Sequence, residues 1–167
     1  CGTSPAYIQK LVGLCSEITP VPLTDKQITC VSSYTHAVKF EAQPLLIGER
    51  INPTGKKRFK QALKEHDIDY ILQEGIHQQE CGVHILDVNV GLPEIDEPSM
   101  LKEAVKELQA VINLPLQIDT SDAAAMEAAL RVYNGKAMIN SVNGKEESMK
   151  TIFPLVKKYG GLVVALT

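Results

Sequence analysis

The stretch His84–Ser121, HILDVNVGLPEIDEPSMLKEAVKELQAVINLPLQIDTS, holds one complete β-α-β unit. Its two ends, HILDVNV (84–90) and LPLQID (114–119), are short and nearly continuously apolar. A strand with one wet face alternates polar and apolar residues, whereas a continuous run suits a strand covered on both faces in a parallel sheet. Between the two runs Leu101, Ala104, Val105, Leu108, Val111 and Ile112 recur at three- and four-residue spacing. They make one helical stripe, with Pro98 suited to its first turn.

The same alternation continues on both sides. Further strands are read at LLIG (45–48), KAMINSV (136–142) and GLVVAL (161–166). In SDAAAMEAALRVYNG, Ser121 or Asp122 can cap a helix, Met126, Ala129, Leu130 and Tyr133 form its stripe, and Gly135 is expected to end it. In KEESMKTIFPLVKKYGG the stripe is Met149, Ile152, Phe153 and Val156, with Gly160 and Gly161 as the stop. Pro154 inside that stripe is expected to kink or split the helix. Residues 57–82 read as helical with a break near Asp67.

The order β-α-β-α-β-α-β-α-β with short links gives an α/β fold with a parallel sheet and right-handed crossovers. The pattern leaves two architectures open, an open doubly wound sheet and a curling (β/α)₈ barrel. Five strands and four helices would be about half of a barrel of the usual ~250 residues.

The first 44 residues differ. SPAYIQKLVGL reads as one helix with Pro5 near its first turn and Ile8, Leu11 and Val12 on one side. The Pro- and Thr-rich stretch after it reads as a mostly irregular interdomain linker with one or two short extended pieces. Because the chain opens on Cys1 and closes on the apolar run GLVVALT, it is expected to be a piece of a longer protein.

Composition narrows the function. The chain has 167 residues, 44% hydrophobic and 22% charged, which is ordinary for a globular domain. A formal charge of -3 argues against a nucleic-acid partner, since phosphate-backbone binding needs a basic surface. No apolar run approaches the roughly 20 residues of a membrane helix, and the polar, Pro-containing start does not read as a signal peptide. A cytoplasmic protein is expected. The four cysteines, Cys1, Cys15, Cys30 and Cys81, show no CxxC spacing and are expected to be free thiols.

Each apolar run gives way to polar residues at its C-terminal end: Glu49, Arg50 and Asn52; Asp87 and Asn89; Asp119, Thr120 and Ser121; Asn140, Ser141 and Asn143. Ligands of parallel α/β folds bind at those strand ends, so the four sets would converge on one mouth. Structural roles compete with this reading. Asp119 or Asp122 can cap the next helix, Glu49 and Arg50 can pair with each other or with a neighbouring strand, and Asn140 and Asn143 are ordinary turn residues. Repetition across four strands favours a site.

Carboxylates and amides without clustered His or Cys, and without a Ser-His pair, disfavour a metal centre and nucleophilic catalysis. They suit a flat heterocycle with a donor–acceptor edge, such as a pterin or a guanine. His36, His66, His77 and His84 are isolated and read as surface or packing residues. A phosphate loop at LIGERINPTGKK (46–57) fails, because six residues separate Gly48 from Gly55 and Lys56 is followed by Lys57.

Four motifs, IGERINPTGKK (47–57), LDVNVG (86–91), QIDTSD (117–122) and MINSVNG (138–144), carry a family resemblance. In this order and spacing they resemble the pterin-binding domain of the cobalamin-dependent methionine synthase family, and almost as much the methyltetrahydrofolate:corrinoid/iron–sulfur protein methyltransferases. Both groups share the dihydropteroate-synthase-like (β/α)₈ TIM barrel. CGTSPAYIQ (1–9) resembles the end of a homocysteine-binding module, where a Gly-Gly-Cys-Cys-Gly-Thr motif supplies zinc ligands, and this favours the first group.

The resemblance implies that residues 1–13 end a homocysteine-binding domain, 14–44 form the linker, and 45–167 begin a pterin-binding (β/α)₈ domain that stops in its fifth strand. It gives Asp119 the pyrimidine edge of the pterin and Asn140 a neighbouring ring position. Asn52, with the loop through Gly55, would line the pocket, and Glu49, Asp87 and Asn89 would shape its floor. Cys1 would be a zinc ligand in the intact protein only.

The implied activity is that of a methyltransferase. Methyltetrahydrofolate gives its methyl group to cob(I)alamin, held by another domain or protein, and the methyl passes to homocysteine. The group acting on the reactive ring nitrogen would lie beyond Thr167, so the isolated chain is expected to be weak or inactive. The alternatives are a corrinoid-protein methyltransferase and a non-catalytic folate- or pterin-binding module.

Overall fold

The computed structural model describes residues 2–167. The elements in order are α1 (Pro5–Cys15), β1 (Cys30–Ser32), β2 (Ala37–Lys39), β3 (Ile47–Ile51), α2 (Lys57–Glu65), α3 (Ile68–Glu80), β4 (Ile85–Val88), α4 (Glu97–Val111), β5 (Leu116–Asp119), α5 (Ala123–Val132), β6 (Met138–Asn143), α6 (Glu146–Tyr159) and β7 (Leu162–Leu166). Strands β3 to β7 form one sheet in the order β3-β4-β5-β6-β7, every neighbouring pair parallel. A doubly wound sheet reverses its strand order at a switch point. Here the order never reverses, so right-handed crossovers keep all the connecting helices on one side. The sheet is the first-half wall of a (β/α)₈ barrel.

Burial follows the sequence stripes. Ile51, Leu86, Val88, Leu116, Ile118 and Ile139 from the strands meet Leu63, Ile71, Leu101, Val105, Leu108 and Met126 from the helices, each fully or almost fully buried. Gly75 lets α3 come close: a Cβ there would lie 2.7 Å from a methyl carbon of Leu108. The helix break expected near Asp67 is present. His66 turns into the left-handed region (φ 57°), and the Asp67 carboxylate caps α3 by accepting from the Tyr70 N–H at 3.1 Å.

Three local expectations need correction. First, LLIG does not end at Gly48. The strand β3 runs to Ile51, with Gly48 paired to Leu86 and Ile51 to Val88, three steps against two. That is a β-bulge, and it draws Glu49 and Arg50 into the strand itself. Second, Gly135 does not end α5, which stops at Val132. Tyr133 is extended because its hydroxyl accepts from the Leu116 N–H (3.0 Å) and donates to the Ser32 carbonyl (2.7 Å). Third, Pro154 does not split α6. Both Pro154 and Lys150 are exposed, so the Lys150 carbonyl that loses its intrahelical donor lies where water solvates it.

Within the stretch expected as linker, β1 and β2 pair as an antiparallel hairpin. Val31 is fully buried against Ile85 and Met138, with Phe40 and Leu162 packed around them. The Ser32 N–H donates to the Lys136 carbonyl at 2.9 Å, and the Lys136 N–H donates to the Ser32 carbonyl at 3.0 Å. Ile85, Met138 and Leu162 begin their strands, so the hairpin plugs the N-terminal end of the barrel. Helix α1, capped by Ser4, buries no residue.

Cys15, Cys30 and Cys81 are free thiols. Cys1, expected as a zinc ligand, lies outside the described residues. Among the described residues no helix is long and apolar enough to cross a membrane.

Candidate functional site

The polar residues at the other end of the barrel sit on two rungs between adjacent strands. On β4 and β5 the parallel register pairs Asp87 with Gln117. The Gln117 amide donates to Asp87 in a buried contact. Two residues further along both chains, the Asn89 amide Nδ2 donates to Asp119 Oδ2 at 2.9 Å. Strand side chains alternate faces, so residues two apart on β4 and on β5 share the barrel interior. On the next strand Asn140 is the register partner of Asp119, and its carbonyl accepts from the Thr120 N–H at 3.2 Å. A second bulge follows Asn140, where two steps along β6 oppose one along β7.

The structure decides between the competing readings of several residues. Asp122, not Asp119, caps α5, accepting from the Ala124 and Ala125 N–H groups at 2.7 and 3.3 Å. Asp119 is thereby left to the mouth. Glu49 pairs with Lys56 (3.2 Å), not with Arg50, and Arg50 makes no ion pair among the described residues. Asn143 serves its turn, its Oδ1 accepting from the Lys145 N–H at 3.0 Å. Asn52 is nearly buried and folds the β3–α2 loop by accepting from the Thr54 N–H at 2.9 Å.

Electrostatics tie Glu49, Asp87 and Asp119 together. Asp87 is 2% exposed, and burial pushes its carboxyl up to about 7. The negative charges of Asp119 and Glu49 push the same way, while hydrogen bonds from Gln117 and Asn140 oppose them. Burial also raises Asp119 above the usual carboxylate range, with Glu49 adding to it and the bond from Asn89 pulling back.

Two clefts open at this end. One of about 460 Å³ is lined by Asp119 and Asn140 together with Lys145 and Ser148 of the α6 end. The other, about 540 Å³, is lined by Thr54, Asn89, Gly91 and Glu97. They meet at Thr120 and Ser121. Glu49, Asn52 and Asp87 line neither cleft. Asp87 lies on the rung below Asn89 and Asp119.

Sequence reasoning missed Gln117, Lys56 and Glu97. Gln117, the one amide inside the apolar run LPLQID, carries its own signal: a polar residue in a doubly covered strand needs a buried partner. Glu97, which accepts a hydrogen bond from the Thr120 hydroxyl, and Lys56 act across elements and leave no local trace. The histidines stay outside the mouth: His66 binds Glu103 at 2.9 Å, and His84 accepts from the Leu46 N–H at 3.0 Å. No three His, Cys, Asp or Glu side chains among the described residues are placed to hold a metal ion.

Comparison with known proteins meets this geometry. Over its whole length the chain is similar to the methionine synthase of Mycobacterium tuberculosis, with 32% identity over 177 aligned positions. It is likewise similar to that of Mycobacterium leprae, with 33% identity over 180. It spans about 15% of the length of each. The family model for pterin binding enzymes matches residues 48–167. That match begins inside β3 and runs through all five strands of the wall, and the chain belongs to the pterin binding enzyme family.

Proposed function

We propose that this chain binds the pterin ring of methyltetrahydrofolate and serves methyl transfer to cob(I)alamin in the formation of methionine from homocysteine. The observation that carries the reading is the Asp119 carboxylate at the mouth, held by Asn89 on one oxygen and aligned with Asn140 on the next strand. A pterin presents an amidine-like edge of parallel N–H donors, which an ionised carboxylate accepts with good geometry. Asn140 offers both a donor and an acceptor to the adjoining ring position. Asn89, and Thr54 of the loop through Gly55, line the adjoining cleft, while Asn52, Glu49 and Asp87 stand behind it: Asn52 folds the loop, Glu49 pairs with Lys56, and Asp87 lies on the rung below. Similarity to two methionine synthases supports methyl transfer as the chemistry.

The roles of the chain's own residues are binding and orientation. Methyl loss requires the ring nitrogen to become more positive, so the pterin must be held while that nitrogen is hydrogen-bonded or protonated. Cobalamin would supply the methyl acceptor from another domain or protein. Zinc, implied with Cys1, would belong to the intact protein; among the described residues no three His, Cys, Asp or Glu side chains are placed to hold it. In the proposed domain order, residues 1–13 close a homocysteine-binding domain, 14–44 connect, and 45–167 form the pterin-binding domain.

The test is titration of the intact protein with methyltetrahydrofolate by calorimetry, followed by cob(I)alamin addition with absorbance detection. Saturable binding and methyl transfer are expected. Binding without transfer would leave a non-catalytic pterin-binding module, and no binding at all would refute the proposal.

A further inference from the structure

We infer that Asn89 is a positioning residue that fixes and charges the Asp119 carboxylate without itself needing to touch the ligand; the inference rests on the function proposed above. On the lower rung the acid is on β4 (Asp87) and the amide on β5 (Gln117); on the upper rung the two are exchanged, with the amide on β4 (Asn89) and the acid on β5 (Asp119). Asn89 is oriented by its own backbone. The Gly91 N–H donates to Asn89 Oδ1 at 2.9 Å, so turning the amide over would set its NH₂ against that donor. Gly91 suits this turn, because a Cβ there would lie only 3.3 Å from Asn89 Oδ1. The amide is therefore locked with its donor toward Asp119 Oδ2. Asp119 Oδ1 accepts from no side chain among the described residues and is left for a ligand.

The lock matters because most of the surroundings oppose a charge on Asp119. Asp87 lies on the rung below, and Glu49 approaches from β3 with Lys56 paired to it. Glu97 faces the neighbouring Thr120, and Asp122 starts α5. From the α6 side Lys145 and Glu147 line the same cleft. Against these, Asn89 gives a neutral donor that favours the ionised form. Only that form accepts two N–H groups; a protonated carboxyl would present an O–H to one of them.

Two variants separate this role from simple support of the turn. Asn89→Asp has the same shape and keeps an acceptor for Gly91, but it replaces the donor to Asp119 by a second acid. Asn89→Ala removes both bonds. In the intact protein, methyltetrahydrofolate affinity is measured from pH 4.5 to 9. The acid-side loss of binding is expected to move up by about one unit or more in Asn89→Ala, as loss of a hydrogen bond to a charged group requires. It should move further in Asn89→Asp, where two acids titrate as a pair.

The loss of affinity in Asn89→Ala should be smaller at alkaline pH than on the acid limb. An acid limb that stays in place in Asn89→Asp overturns the inference, as does equal weakening of Asn89→Ala at every pH. Should Asn89→Ala fail to fold, Asn89→Asp decides alone. Absence of saturable binding in the unsubstituted protein would remove the function and the inference together; binding with an unmoved limb removes only the inference.

Discussion

Replacing Asp87 by asparagine should stabilise the protein, and only above acid pH. Asp87 is 2% exposed, and its carboxyl is raised from 3.8 to about 7 chiefly by burial. Well below 3.8 it is neutral in the folded and unfolded chains alike, so it exacts no penalty there. As pH rises from 4 to 7 the unfolded chain ionises first, and stability falls. Above 7 both states are charged and the loss is constant. A difference of about three pH units at about 1.4 kcal/mol each sets the full loss at roughly 4 kcal/mol. The amide introduced by Asp87→Asn would keep an oxygen that accepts from Gln117 and carry no charge. The difference between Asp87→Asn and the unsubstituted protein should therefore open from near zero at about pH 3 to as much as about 4 kcal/mol at about pH 8. Urea denaturation at matched pH values reads it. Parallel stability curves, or a difference below about 1 kcal/mol at pH 8, would refute the claim that Asp87 is a buried, charge-disfavoured acid.

Gly135→Ala should loosen the hairpin from the barrel, since the new Cβ would sit 2.3 Å from the Ser32 carbonyl oxygen at φ 148°. A loss of about 1–3 kcal/mol is expected, with faster amide exchange at Val31 and Val38 as its local signature. Pro154→Ala should raise Tm, because it restores a hydrogen bond to the Lys150 carbonyl and removes a residue that disfavours helix interiors by up to about 3 kcal/mol. An unchanged or lower Tm would mean that Pro154 makes a packing contribution the helix geometry does not reveal.

The fold was legible where burial imposes a period. The runs around Ile85–Val88 and Leu116–Asp119 and the stripe from Leu101 to Val111 needed no long-range information, because each shows its covered face in its own spacing. The choice of barrel over doubly wound sheet was not legible in the hydrophobic pattern, since strand order is a property of crossovers and not of any one run; only the resemblance carried by the four strand-end motifs implied it. Nor was the docking of Val31, whose partners Ile85 and Met138 lie more than fifty residues away. The bulge at Glu49–Arg50 stayed hidden for the same reason: a bulge exists only relative to the partner strand. For the site, the polar strand ends named by the sequence converge at one end of the barrel, but which carboxylate caps a helix was settled only by the hydrogen bonds of Asp122. The amide that holds each acid lies on the neighbouring strand, thirty residues away.

The central claim is that Asp119 recognises the edge of a pterin. Methyltetrahydrofolate titration of Asp119→Ala beside the unsubstituted intact protein, at pH 8 where the carboxylate is charged, tests it most directly. Loss of one charge-assisted contact of about 1.5–3 kcal/mol predicts affinity weaker by roughly ten- to over a hundredfold with the fold intact. Equal affinity in the two proteins would contradict the account.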